Sequence, residues 1–186
     1  MVGATAKRTY ELVEREPLLE EILQAHRNEI GANYAGYRGH VYRVFNLSHA
    51  FVGNPEARSA LAVAAAFHDI GIWSDRTFDY LEPSARRARN YLDASSLGIA
   101  TNLVEQAILQ HHRLRSLPDE EAPAEALRRA DLIDLSFGLV RFGLPRPFVA
   151  DLRRAFPNAG FHRCLLRVGC SWALRHPLRP LPMLRW

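Results

Sequence analysis

His68 and Asp69 stand side by side at the end of an apolar run, LAVAAAFHDIGIW, over residues 61–73. An imidazole and a carboxylate in that place either satisfy a helix terminus or hold a ligand. Two residues elsewhere favour the ligand. His40, in YRGHVYRV, lies four residues before Val44 and eleven before Phe51, and so shares their inward-facing helical stripe. Asp131, in RRADLIDLSF, lies four residues after Leu127, on the buried side of another helix. A buried carboxylate without a partner costs several kcal/mol, roughly 3–5 when a pair is broken. One cation would serve Asp69 and Asp131 together. Imidazole plus carboxylate suits a divalent ion (Mn, Fe, Zn, Ni, Co or Mg), and the lack of usable thiols argues against a cysteine-rich zinc site.

Other side chains could act beside that ion. Arg43 follows His40 by three residues, on nearly the same face, and could grip a phosphate or form a salt bridge to Asp75 or Asp79. Asp134, one turn beyond Asp131, could orient a ligand or carry a surface charge. Glu82, before Pro83, could reach inward or charge the first turn of the next helix. Trp73, Phe78 and Tyr80 could roof a pocket or simply pack. His26, His49, His162 and His176 fit no constellation.

The elements that must position these residues are helices. Apolar residues recur at three-to-four spacing in Glu16–Ile30, where Pro17 suits a first turn, and in Tyr34–Phe51. Asn54-Pro55 opens a helix that runs to His68-Asp69 and stops before Gly71. Further helices are expected over Pro83–Leu97, Asn102–Arg113, Pro123–Leu139, Pro147–Phe156 and Phe161–His176. No segment alternates in polarity as a strand would. The breaks are turn dipeptides rather than linkers, so residues 1–186 read as one all-α domain, a helical bundle. The tail, HPLRPLPMLRW, holds three prolines and cannot be helical. Its Met183, Leu184 and Trp186 either wrap the surface or feed a homodimer contact.

The order H…HD…D on successive helices, here His40, His68-Asp69 and Asp131, resembles the HD-domain metal-dependent phosphohydrolase superfamily. The resemblance covers about residues 37–135. The form HDIG and the alanine-rich helix before it also look like the family. It implies an all-α fold in which these four residues bind a divalent metal at the centre of the bundle. It implies as well that a metal-bound water attacks a phosphoester, with Asp69 able to bridge two ions. The substrate would then be a small phosphorylated compound such as a nucleotide.

His111-His112, in ILQHHRLR, is the next candidate. Adjacent helical residues point about 100° apart, so both can face a cavity only near a helix end. In two-metal branches of the family a His pair in this region supplies ligands, but those branches carry a further His before it. No His lies between His68 and His111 here, and Glu82-Pro83 stands where His-Pro would be. One ion per chain is therefore expected, with His111 or His112 contacting substrate or donating a proton. Where many HDIG chains continue with lysine, this one has Ile72-Trp73. That more apolar mouth keeps alive a hydratase or amide-type hydrolase, and a non-catalytic regulatory domain is the third reading.

Composition bounds the rest. The chain has 186 residues, 48% hydrophobic and 24% charged, and a formal net charge of +4. Lys7 is its only lysine, and seven arginines follow Asp151, which reads as genome composition more than a nucleic-acid footprint. A regular array of stacking aromatics is also missing, so nucleic acid is not an expected partner. Cys164 and Cys170 are six residues apart in one expected helix, unsuited to a disulfide. The first residues lack a signal-peptide apolar region, and no run of about 18 apolar residues spans a membrane. A cytoplasmic protein is the expectation.

Overall fold

A computed structural model of the chain describes residues 10–55, 57–117 and 123–184. Trp186, one of the tail residues singled out above, lies outside the described residues, as does Lys7. The described residues contain ten α-helices and no strand.

Helix α1 spans Pro17–Ala25, with Pro17 in its first turn and Leu19, Ile22 and Leu23 buried. The helix expected to continue to Ile30 breaks at His26. A single turn, α2 (Arg27–Ile30), and a 3-10 turn over Gly31–Asn33 follow. Helix α3, Tyr34–Val52, is the longest. Gly53 ends it in the left-handed conformation at φ 62°, where a side chain would be strained. Helix α4, Ala57–Phe67, is buried at every position from Ala60 onward. It touches α1, α3, α6 (Leu81–Asp93), α7 (Thr101–Gln110) and α8 (Pro123–Leu135). Five neighbours can crowd one helix because its side chains are mostly alanine. Enlarging one inside such a core costs about 1–3 kcal/mol.

The most extensive helix pairing is α3 with α8. It brings His40 and Arg43 on one helix opposite Asp131 and Asp134 on the other. Helix α9 (Arg146–Ala155) covers α3, and α10 (Phe161–Arg175) closes the bundle. Gly39 permits the covering segment to approach. A Cβ there would stand 2.5 Å from the Pro157 carbonyl.

Several boundaries differ from the expected ones. Helix α8 stops at Leu135 rather than at residue 139, because Phe137 and Gly138 turn left-handed and the Gly138 amide bonds the Ile133 carbonyl. Helix α6 begins before Pro83, which sits in its first turn, and ends at Asp93. The stretch after Asp69 is not all loop, since Gly71–Ser74 forms a short helix, α5. The non-helical tail packs Met183 against Ile72, Phe78, Tyr80 and Leu81, while Leu184 stays exposed. Both cysteines are free. No helix among the described residues is long and apolar enough to cross a membrane.

Candidate metal centre

Four histidines and two aspartates meet where α3, α4, α7 and α8 converge. His68 and His111 arrive by the same device. Each is the residue just past a helix, α4 or α7, where the last carbonyls have no helical partner. His68 Nδ1 lies 2.8 Å from the Ala65 carbonyl, and His111 Nδ1 lies 2.6 Å from the Ile108 carbonyl. A carbonyl only accepts, so each Nδ1 carries the hydrogen and each Nε2 offers a lone pair to the cluster. His40 is fixed in the same sense by a charge. Its Nδ1 donates to Asp134 Oδ2 at 2.7 Å, and its ring stacks on Phe161 with centroids 4.0 Å apart.

The consequence is a conflict at the centre. His40 Nε2 and His68 Nε2 face one another at 2.9 Å, with the hydrogen of each ring already committed on its far side. Two lone pairs at that distance need a cation or a proton between them. In the ion-free centre the proton resides on His40. Burial opposes its charge, but hydrogen bonds to Asp134 and Asp69 outweigh burial and raise its pKa to about 9. His68 is pushed the other way, to about 3, by burial and by the charge on His40.

The two carboxylates each face two ways. Asp69 Oδ2 lies 3.5 Å from His40 Nε2 and 3.4 Å from His68 Nε2, while its Oδ1 lies 3.4 Å from His111 Nε2. Asp131 Oδ1 lies 3.5 Å from His40 Nε2 and 3.9 Å from His68 Nε2, while its Oδ2 lies 3.6 Å from His112 Nδ1. Surrounded by imidazoles, Asp69 stays ionised despite its burial. Burial raises Asp131 to about 7, helped by the charges of Asp69 and Asp134.

Asp69 Oδ1, His111 Nε2 and Asp131 Oδ1 are buried with no hydrogen-bond partner. Buried polar atoms are nearly always paired, so three orphans in one place mark a candidate binding site. Two groups of donors are close enough to hold an ion: His40, His68 and Asp69, and Asp69, His111 and His112. Nitrogen and carboxylate oxygen donors of this kind fit a divalent first-row metal. The second group bears on the expectation of one ion per chain, because Asp69 can serve both groups through different oxygens.

The four expected ligands, His40, His68, Asp69 and Asp131, are thus brought together, and His111 and His112 join them. Arg43 is not free to grip a phosphate. Its Nη2 binds Asp134 Oδ2 at 2.8 Å, its Nε binds Asp134 Oδ1, and its Nη1 binds the Phe156 carbonyl at 2.6 Å. It holds Asp134, which holds His40. The salt bridge weighed for it therefore exists, but to Asp134. Asp75 pairs with Arg86 and Arg87, and Asp79 with Arg179. Asp134 is buried and orients His40 rather than lying on the surface, and the two bonds to His40 and Arg43 hold its carboxyl well below the usual range against burial. Glu82 is exposed in the first turn of α6, away from the cluster. Trp73 packs on Tyr37 with centroids 4.6 Å apart.

Tyr80 does more than pack. Its hydroxyl lies 2.6 Å from His112 Nε2, and burial together with the charges of Asp69 and Asp131 raises its pKa well above the usual range. The glycine of HDIG allows this placement. Helix α5 approaches the start of α6 so closely that a Cβ on Gly71 would stand 2.9 Å from the Tyr80 carbonyl, and the Gly71 amide bonds Ser84 Oγ at 3.0 Å. His162, to which the sequence assigned no role, has Nε2 3.1 Å from the Asp134 carbonyl.

No family model, curated protein or solved structure matches the chain.

Proposed function

We propose that the chain is an HD-type metal-dependent hydrolase that acts on a small phosphorylated compound such as a nucleotide. The observation that carries this reading is the pair of Nε2 atoms 2.9 Å apart, with both Nδ1 hydrogens anchored and an ionised Asp69 beside them. His40, His68 and Asp69 would hold a first ion with Asp131 beside them, and Asp69, His111 and His112 would give room for a second. Such an ion lowers the pKa of a bound water toward neutrality and polarises a phosphoryl oxygen.

The chain's own groups set the rest. Arg43 and Asp134 fix His40 in the tautomer that offers Nε2. Tyr80 fixes the ring of His112 from the other side. The His112 side chain is 14% exposed, whereas those of His40, His68 and His111 are sealed, so substrate approaches past His112. His112 is then the imidazole that contacts substrate or passes a proton to its leaving group.

A second reading has one specific support. Arg43, three residues from His40, is bound to Asp134 and so offers no free guanidinium to a phosphate. An uncharged substrate, hydrated or cleaved at an amide or nitrile carbon, suits that lack.

Metal analysis of purified protein tests the foundation. One or two divalent ions per chain are expected, and His68→Ala should lose the ion next to His40. An unchanged content in that variant refutes the site. A screen with Mn, Mg, Co, Ni and Fe over nucleotides, aryl phosphates, amides and nitriles then separates the two readings. Turnover of the last two alone selects the second, and turnover of nothing selects a non-catalytic metal domain.

A further inference from the structure

Many arginines of this chain are neutralised by carboxylates. Arg38 meets Glu20, Arg58 meets Glu16, Arg86 and Arg87 meet Asp75, Arg89 meets Glu105, and Arg128 and Arg129 meet Glu125. Two cavities are lined by arginines and by no carboxylate: one beside Phe78 and Trp172 has Arg76, Arg167 and Arg175, and the other has four. Between the turn after α8 and helix α9 lies the second, a cavity of about 530 Å³ walled by Arg141, Arg146, Arg153 and Arg154. The nearby Asp151 is taken by Arg154. Arg141 gives one N–H to the Gly138 carbonyl at 3.2 Å, and Arg153 lies over the Phe137 ring, 5.0 Å from its centroid. Arg146 and Arg153 have no carboxylate partner among the described residues. With Arg154 paired to Asp151, the guanidiniums of Arg141, Arg146 and Arg153 repel each other around one concavity unless an anion joins them.

The cavity is not merely charged. Phe137 is 52% exposed and Leu139 85% exposed, so an apolar wall stands beside the arginines. Phe137 holds that position in a left-handed conformation, φ 56°, which a bulky residue adopts only under constraint. A volume of this size falls in the range of small-ligand pockets, roughly 300–1,000 Å³.

We infer that this groove binds a phosphorylated small molecule at a site distinct from the His/Asp cluster, with phosphate gripped by Arg146 and Arg153 and an apolar portion against Phe137 and Leu139. Arginine forks match phosphate oxygens in pairs, and a multiply charged phosphate offsets more of the three unpaired guanidiniums than a single carboxylate does. None of the lining residues belongs to the candidate metal centre, so the inference stands whether or not the proposed hydrolase activity is found.

Inorganic pyrophosphate is the probe, titrated calorimetrically into the full chain with divalent metal removed, at 0.15 M salt. Saturable binding at one site per chain is expected. Arg146→Gln with Arg153→Gln should weaken it at least tenfold, while the unfolding midpoint and the metal content after reloading stay unchanged. His68→Ala should bind pyrophosphate as the parent does. If the double variant fails to fold, the two single variants carry the same expectation at a few-fold each. No saturable binding overturns the inference. So does binding that survives the double variant but vanishes in His68→Ala, which would place the anion at the cluster. Association with phosphatidylglycerol vesicles without any pyrophosphate binding also overturns it, in favour of a lipid surface.

Discussion

The two sides of the cluster are built differently. On the His40 side every ligand is sealed and held by something that is itself held. Asp134 grips His40, Arg43 grips Asp134, and the Phe156 carbonyl and Phe161 ring fix Arg43 and His40 in turn. On the other side His111 is anchored to a helix carbonyl, but His112 leans on a single phenol and reaches the exterior. Asp69 and Asp131 give one oxygen to each side. The contrast separates holding from reacting. On the proposed reading, the rigid, dry half would keep an ion and the half with one adjustable imidazole would meet a substrate.

The sharpest break in this contrast is Asp69→Asn, because Asp69 serves both sides. Metal content should fall to background, and any turnover should drop by more than about 100-fold, beyond the loss usual for an outer partner alone. Elemental analysis and a rate assay read it. A variant that keeps its metal would show that the two sides do not share this residue.

Asp134→Asn attacks the rigid side alone. Metal affinity should weaken about 10–100-fold as His40 loses its orientation. The buried Arg43 loses its partner as well, a change that costs about 3–5 kcal/mol in comparable pairs. Chelator competition and thermal unfolding measure the two effects. Weakened metal binding without loss of stability would mean that Arg43 finds another acceptor.

A pH series sharpens the same side. Metal must displace the proton that keeps His40 up to about 9, so affinity should rise about tenfold per pH unit between roughly 6.5 and 9 and level off above. The folded pKa is raised, so this group stabilises the metal-free protein fully below about 6.5, and the contribution fades as pH rises through about 9. Unfolding midpoints of the metal-free and loaded forms should therefore separate further on the alkaline side.

The smallest effect belongs to the open side. Tyr80→Phe removes only the hydroxyl that steadies His112. Turnover should fall about tenfold, the low end of the loss for a partner that orients a site residue. The ion held by His40 and His68 should bind unchanged. Loss of that ion on titration with chelator would join the two sides more tightly than the contacts suggest.

The rigid half was the more legible in the sequence. His40 and Asp131 sit at helical spacing within apolar stripes, and burial of a carboxylate by itself demands a partner. Asp134 carried a signal too, one turn from Asp131. Arg43 could be placed on a helix face, but its long side chain reaches a partner on another helix, which spacing cannot specify. Tyr80 lies in WSDRTFDY, a segment without period, so nothing in the residues marked it as a neighbour of His112. His26 breaks the first helix without the glycine or proline that would announce it. At Phe137 and Gly138 the opposite occurred, since a glycine signalled the stop and the apolar residues around it suggested continuation.

The alanines of α4 have a further bearing on how such a chain could change over generations. They bind five helices into one block, and any larger side chain there would push apart the elements that carry the ligands. Ile72, Trp73, Phe78 and Tyr80 lie just outside that block, on a short helix and loop. Mutational drift is thereby steered. Under the proposed function, selectivity could be rewritten at residues 72–79 while the packing at 60–69 that carries His68 and Asp69 is inherited nearly intact.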